Sequence, residues 1–157
     1  MPENSILPIM KIYLDNCCYN RPFDDQTQIR IFLESQAKLH IQGLIVKKNI
    51  ELVYSYMSVF ENSCNPDKKH LKIIFDFFQN AIQFVSHTEM QQVEDIAKDI
   101  VKQNIKNKDA LHIASAILSG CEYFITTDDI ILKRCKRDKI IVCSPIEFLN
   151  FWEVENA

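Results

Sequence analysis

Five short runs rich in β-branched and aromatic residues punctuate the chain: MKIYLD (10–15), ELVYSYMS (51–58), AIQFVSH (81–87), YFITT (123–127) and IIVCS (140–144). Each is separated from the next by a segment with helical features. Strands joined through helices rejoin one sheet in parallel, and a parallel sheet needs helices over both faces. The chain is therefore expected to form an α/β fold, a three-layer α/β/α sandwich with a parallel sheet of about five strands. Its 157 residues suit one domain, and no repeat or compositional shift marks a boundary. Residues 1–9 carry Pro2 and Pro8 without periodicity, so they are set aside as an N-terminal tail or alternative-start extension, leaving 10–157 as the domain.

The helical segments follow from spacing and caps. Between Gln26 and Lys48, Ile29, Phe32, Leu33, Ala37, Ile41, Leu44 and Ile45 recur at threes and fours, with a break expected near Gly43. A second helix starts at Pro66 and runs through HLKIIFDFF, after two short turns in VFENSCN. Thr88 and Gln91 have the spacing of a capping box ahead of the face Met90, Val93, Ile96, Ala97, Ile100 and Val101. DALHIASAILSG is started by an acid and stopped by Gly120, DDIILKRCKRD is a short helix with a basic end, and PIEFLNFW closes the chain. NCCYNRPFDD, after the first strand, has the polar composition of a loop.

Counting excludes several chemistries. With only Gly43 and Gly120, neither a GxxxxGK[ST] phosphate loop nor a GxGxxG turn can be built. The six cysteines contain no CxxC and the four histidines are scattered, so mostly buried thiols in a reducing cytoplasm are expected in preference to zinc or disulfides. No apolar run approaches a membrane span, and no leader-like segment opens the chain, so no membrane partner is expected. A formal charge of −3 gives no broad basic surface, so a nucleic-acid role must rest on chemistry.

That chemistry is sought where ligands bind an open parallel sheet, outside the carboxyl ends of its strands. Asp15 ends the first strand, Asp128 the fourth, and Glu61 follows the second. The short turn from Gly120 into YFITT requires the preceding helix to run down from that edge, which puts Asp109 there too. Four converging carboxylates repel one another unless a cation joins them. All-oxygen donors select Mg²⁺ or Mn²⁺, and such ions at phosphate oxygens imply phosphodiester hydrolysis.

The same segments, MKIYLDNCCYN, SVFENS, KDALHIASAI and FITTDD, resemble in order and separation the four acidic motifs of the PIN-domain family, including its VapC-type ribonuclease toxins. The resemblance runs from Met10 to the end. It implies a parallel α/β/α fold and a ribonuclease dependent on Mg²⁺ or Mn²⁺ that leaves a 5′-phosphate. Asp15, Glu61, Asp109 and Asp128 are then the catalytic acids and metal ligands, with Thr126 in the family's T-x-D position. It also implies an RNA substrate, an antitoxin partner if the protein is a toxin, and a homodimer. Asp129 competes with Asp128 as ligand, and the T-x-D spacing favours Asp128. Asn16, Arg21, Thr126 and Asp129 are candidates for substrate contact. Asn20, Arg21, Asp24 and Asp25 either line the substrate channel or cap the next helix.

Other roles compete for these residues. Asp15, Asp109 and Asp128 are also ordinary turn and cap formers, and Glu61 an ordinary exposed helix acid. His112, on the helical face of Asp109, is a base, a phosphate contact or a buried, partner-bonded histidine. The Lys133–Lys139 cluster suits a helix end, and Phe75, Phe77 and Phe78 suit the core or a dimer face. A non-catalytic PIN-like module binding RNA or protein is the alternative function. A haloacid-dehalogenase phosphatase needs D-x-D, which Asp15-Asn16-Cys17 does not supply.

Overall fold

The computed structural model describes residues 8–157; most of the tail expected at 1–9 lies outside the described residues. Its strands are β1 (Lys11–Leu14), β2 (Glu51–Ser55), β3 (Gln83–Val85), β4 (Tyr123–Ile125) and β5 (Ile141–Cys143). They form one sheet in the order β3-β2-β1-β4-β5, with every neighbouring pair parallel. The α/β/α sandwich expected from the alternation is the observed fold.

Strand periodicity sorts the core into two layers. Ile12 and Leu14 face α2 (Ile29–Val46), α4 (Lys68–Phe77) and α8 (Pro145–Glu155), where they meet Ile41, Phe77 and Phe148. Tyr13 and Phe124 face α5 (Met90–Val101) and α6 (Asn107–Leu118), where they meet Val93 and Ile113. Each side chain of this kind contributes roughly 1.5–3 kcal/mol by leaving water. Ile12, Tyr13 and Phe124 are wholly buried, as befits central strands covered on both faces. Phe77 and Phe78 belong to the core and Phe75 packs against it.

Caps stop and start the elements that carry the acids. Ser55 ends β2 and caps α3 (Tyr56–Ser63) in a box with Ser58, and Ser144 does the same for α8 with Glu147. The carboxyl end of α6 closes on Gly120 at φ +79°, with Gly120 N–H donating to Ile117 O at 3.0 Å and Cys121 N–H to Ala116 O at 2.9 Å. A side chain at position 120 would be strained in that conformation.

Several local expectations are corrected. NCCYNRPFDD is not a plain loop: it forms α1 (Asn16–Asn20), capped by Asp15, and a 3₁₀ turn at Arg21–Phe23 with Pro22 in its first turn. Helix α2 begins at Ile29 and runs unbroken past Gly43, because nothing there forces a kink. Thr88 makes no capping box; its hydroxyl bonds Ser86 Oγ at 2.7 Å and His87–Glu89 winds as a 3₁₀ turn into α5. Asp109 is not an N-cap, since α6 starts two residues earlier at Asn107.

The segments leaving β1 and β4 turn to opposite faces. Helix α2 packs with the Ile12 layer, whereas Ile131 of α7 (Asp129–Arg134) packs with the Tyr13 layer. That divergence opens a crevice at the carboxyl ends of two adjacent strands.

Candidate metal centre

Asp15 sits at the mouth of this crevice, only 5% exposed. Its Oδ1 accepts Asn16 N–H at 2.8 Å and its Oδ2 accepts Thr126 Oγ–H at 2.8 Å. Thr126 Oγ also accepts Asp128 N–H at 3.0 Å, so one fully buried threonine ties the acid after β1 to the acid after β4. The T-x-D spacing thus has a physical basis. Thr126 stands behind the acids, and Asn16 lies half-buried beside them.

Asp128 caps α7, its Oδ1 accepting Ile130 N–H at 2.8 Å. Asp129 turns outward and takes a paired contact from Arg30, at 2.7 and 2.8 Å. Arg30 also bonds Glu34, which is paired with Arg21, which in turn holds Asp24. Arg21 therefore latches the turn after α1 onto α2.

Glu61 reaches the crevice from α3 and His112 from α6. One oxygen of Asp15, one of Glu61 and a ring nitrogen of His112 lie within 4.8 Å of one another, the only such group of three among the described residues. Burial works to raise the Glu61 pKa, but the His112 hydrogen bond and the His112 and Lys108 charges outweigh it and hold it below the usual value. Lys108 Nζ stands 3.7 Å from Oε2.

Asp109 stands outside that close trio and feels it through space. Burial, then the charges of Asp15, Asp128 and, more weakly, Glu61, push its carboxyl up to about 6, against a smaller opposing pull from His112. A half-buried carboxyl set among three other acids is poised for a cation. His112 is an unsuitable ligand: it is fully buried, with Nδ1 on Tyr13 and Nε2 on Glu61. It is the buried, partner-bonded histidine. The remaining candidate ligands are carboxylate oxygens, a set that fits a hard dication. A cavity of about 480 Å³ between α5, α6 and α7 is lined by none of the four acids, so charge marks this site better than volume.

A family model, described as PIN domain, matches residues 12–137. The chain belongs to the PIN-domain family. The matched span contains all four acids, and PIN domains are in general nucleases that use divalent metals. No curated protein matches the chain. Among solved structures, a chain of VapBC2 from Rickettsia felis, crystallised bound to a DNA fragment from their promoter, superimposes with a TM-score of 0.54 at 13% identity. The match covers 85% of this PIN-domain protein and 97% of that chain, and at such identity it speaks for the fold alone.

Sequence reasoning overlooked Tyr13, Ser55 and Ser58, which stand behind the acids and bond to one another. Two signals were available: a tyrosine in an apolar central strand needs a partner for its hydroxyl, and Ser-x-x-Ser at a strand–helix junction is a capping pattern.

Proposed function

We propose that this PIN-domain protein is an endoribonuclease that hydrolyses RNA phosphodiester bonds with Mg²⁺ or Mn²⁺ held by Asp15, Glu61, Asp109 and Asp128. The observation that supports this reading is the close approach of Asp15 and Glu61, from separate chain segments, beside Asp109, whose carboxyl is pushed up to about 6 by burial and then by the charges of Asp15 and Asp128. When bound, the ion supplies Lewis acidity toward phosphate oxygens and makes water a better nucleophile.

The chain's own groups do the positioning. The Asn16 amide and the Thr126 hydroxyl hold Asp15, and the α7 amides hold Asp128. His112 holds Glu61 by one oxygen. Lys108, largely exposed beside Glu61, offers a positive charge to phosphate. Asn16, beside Asp15, and Arg21, in the turn after α1, are the candidates for contact with the RNA strand.

The decisive assay is cleavage of a purified structured RNA by wild-type protein and Asp15→Asn in Mg²⁺ or Mn²⁺, with chelator as control. Cleavage by wild type alone supports the reading; equal cleavage by both proteins removes it. A toxin role with an antitoxin partner and a homodimeric state extends the same proposal. Its support is the fold shared with the VapBC2 chain. Six free thiols suit a reducing cytoplasm, and no described helix is long and apolar enough to cross a membrane.

A further inference from the structure

Behind the acids runs a chain of buried hydrogen bonds made by residues from four elements. Tyr13 Oη lies 2.6 Å from His112 Nδ1, 2.6 Å from Ser55 Oγ and 3.0 Å from Ser58 Oγ, and His112 Nε2 contacts Glu61 Oε1. Tyr13, Ser55 and His112 are fully buried and Ser58 nearly so, so water does not substitute for any member.

Donor and acceptor arithmetic gives the chain one direction. A carboxylate only accepts, so Nε2 carries the proton given to Glu61. In the neutral ring Nδ1 is then an acceptor and takes the Tyr13 O–H; a charged ring reverses that one bond and still gives its Nε2 proton to Glu61. The tyrosine oxygen receives the hydroxyl protons of Ser55 and Ser58. Those serine oxygens are themselves donated to by backbone amides: Ser55 Oγ accepts Met57 N–H at 3.2 Å and Ser58 Oγ accepts Ser55 N–H at 3.1 Å. Every hydroxyl spends its one proton once, and every bond points toward Glu61. The capping box of α3 thereby orients a residue on α6 through a tyrosine on β1.

We infer that Tyr13 and His112 are positioning residues that pin Glu61 Oε1 and leave Oε2 as the single oxygen it offers to a metal ion. Tyr13 locks the Nε2–H tautomer of His112, and His112 fixes the rotation of the Glu61 carboxylate. This inference rests on the metal-dependent reading proposed above and assigns it two residues that do not touch the ion.

The test combines Mn²⁺ affinity by calorimetry, RNA cleavage, and imidazole nitrogen resonances of His112 in metal-free protein. Tyr13→Phe keeps the ring stacked on Phe124 and removes only the hydroxyl. It should weaken Mn²⁺ binding by about 10-fold or more, within the range for groups that support metal ligands. His112→Leu should lose at least as much. His112→Gln, whose amide nitrogen reaches the position of Nε2, should recover part of it. Wild-type His112 should show a protonated Nε2.

Folded Tyr13→Phe and His112→Leu proteins with unchanged Mn²⁺ affinity would overturn the positioning role while leaving the metal reading intact, as would a protonated Nδ1 with a bare Nε2. A His112→Gln protein no better than His112→Leu would count against a hydrogen-bonding role. Absence of Mn²⁺ binding by wild type would instead take down the metal reading, and the positioning role with it.

Discussion

Two groups of charged side chains meet at neighbouring residues, Asp128 and Asp129, and are built on opposite principles. On the Asp129 side, Arg21 and Arg30 thread between Asp24, Glu34 and Asp129, so each carboxylate finds a guanidinium. On the Asp128 side, Glu61 contacts Lys108 and His112, whereas Asp109 is pushed up in pKa by burial first and then by the charges of Asp15, Asp128 and, more weakly, Glu61. The paired group ties α2 to its flanking segments. The second group leaves Asp109 without an ion pair among the described residues, and ionising its half-buried carboxyl beside Asp15 and Asp128 costs stability. One residue along the chain is enough to pass from the first kind to the second, because Asp128 faces inward to cap α7 while Asp129 projects toward α2.

If the contrast is sound, neutralising single acids should have unequal consequences. The largest effect is expected for Asp15→Asn or Asp109→Asn, which should lower RNA cleavage by more than about 100-fold, beyond what loss of a ligand-supporting partner does. Circular dichroism should show both variants folded. Wild-type protein that shows neither Mn²⁺-dependent thermal stabilisation nor cleavage would favour the non-catalytic module.

Next in size is the effect of the ion on stability. Mn²⁺ at 100 times its Kd should stabilise the wild type by about 2.7 kcal/mol. Thermal unfolding should show the gain disappearing with chelator and in Asp15→Asn.

A smaller effect concerns pH without metal. The folded chain binds the Asp109 proton more tightly than the unfolded chain does, the carboxyl moving from 3.8 to about 6. The contribution is therefore fully present below 3.8 and is lost as pH rises through about 6. Denaturant titrations of metal-free protein should show this decline, and Asp109→Asn should flatten it. At neutral pH that variant should be more stable by about 1 kcal/mol, the full linkage value being cut by solvent screening at a half-exposed group. A variant less stable than wild type at neutral pH would contradict the upward shift of Asp109.

The smallest effect belongs to the paired group. Asp129→Asn should leave Mn²⁺ affinity and cleavage unchanged in calorimetry and RNA assays, whereas Asp128→Asn should impair both. The reverse result would exchange the roles of the two aspartates.

Much of this arrangement was legible along the chain. The β-rich runs with helices between them announced a parallel sheet, and the short turn at Gly120 was enough to send Asp109 to the edge shared by Asp15 and Asp128. Helix beginnings were harder, because a cap depends on a single hydrogen bond. Thr88 had the spacing for a box and spends its hydroxyl on Ser86 instead, while the serines that do form boxes, Ser55 and Ser144, drew no notice. Helix α1 was hidden in a polar stretch too short for periodicity to register.

Sequence by itself determined the fold class and the edge on which the acids gather, since both depend on the order and period of residues along the chain. Tertiary structure alone decided which partner each polar atom takes. Tyr13 and His112 lie 99 positions apart and meet through hydrogen bonds of specific length and direction. Period and order specify faces and edges, whereas a buried hydrogen bond depends on the position of individual atoms, which exists only after the layers have packed.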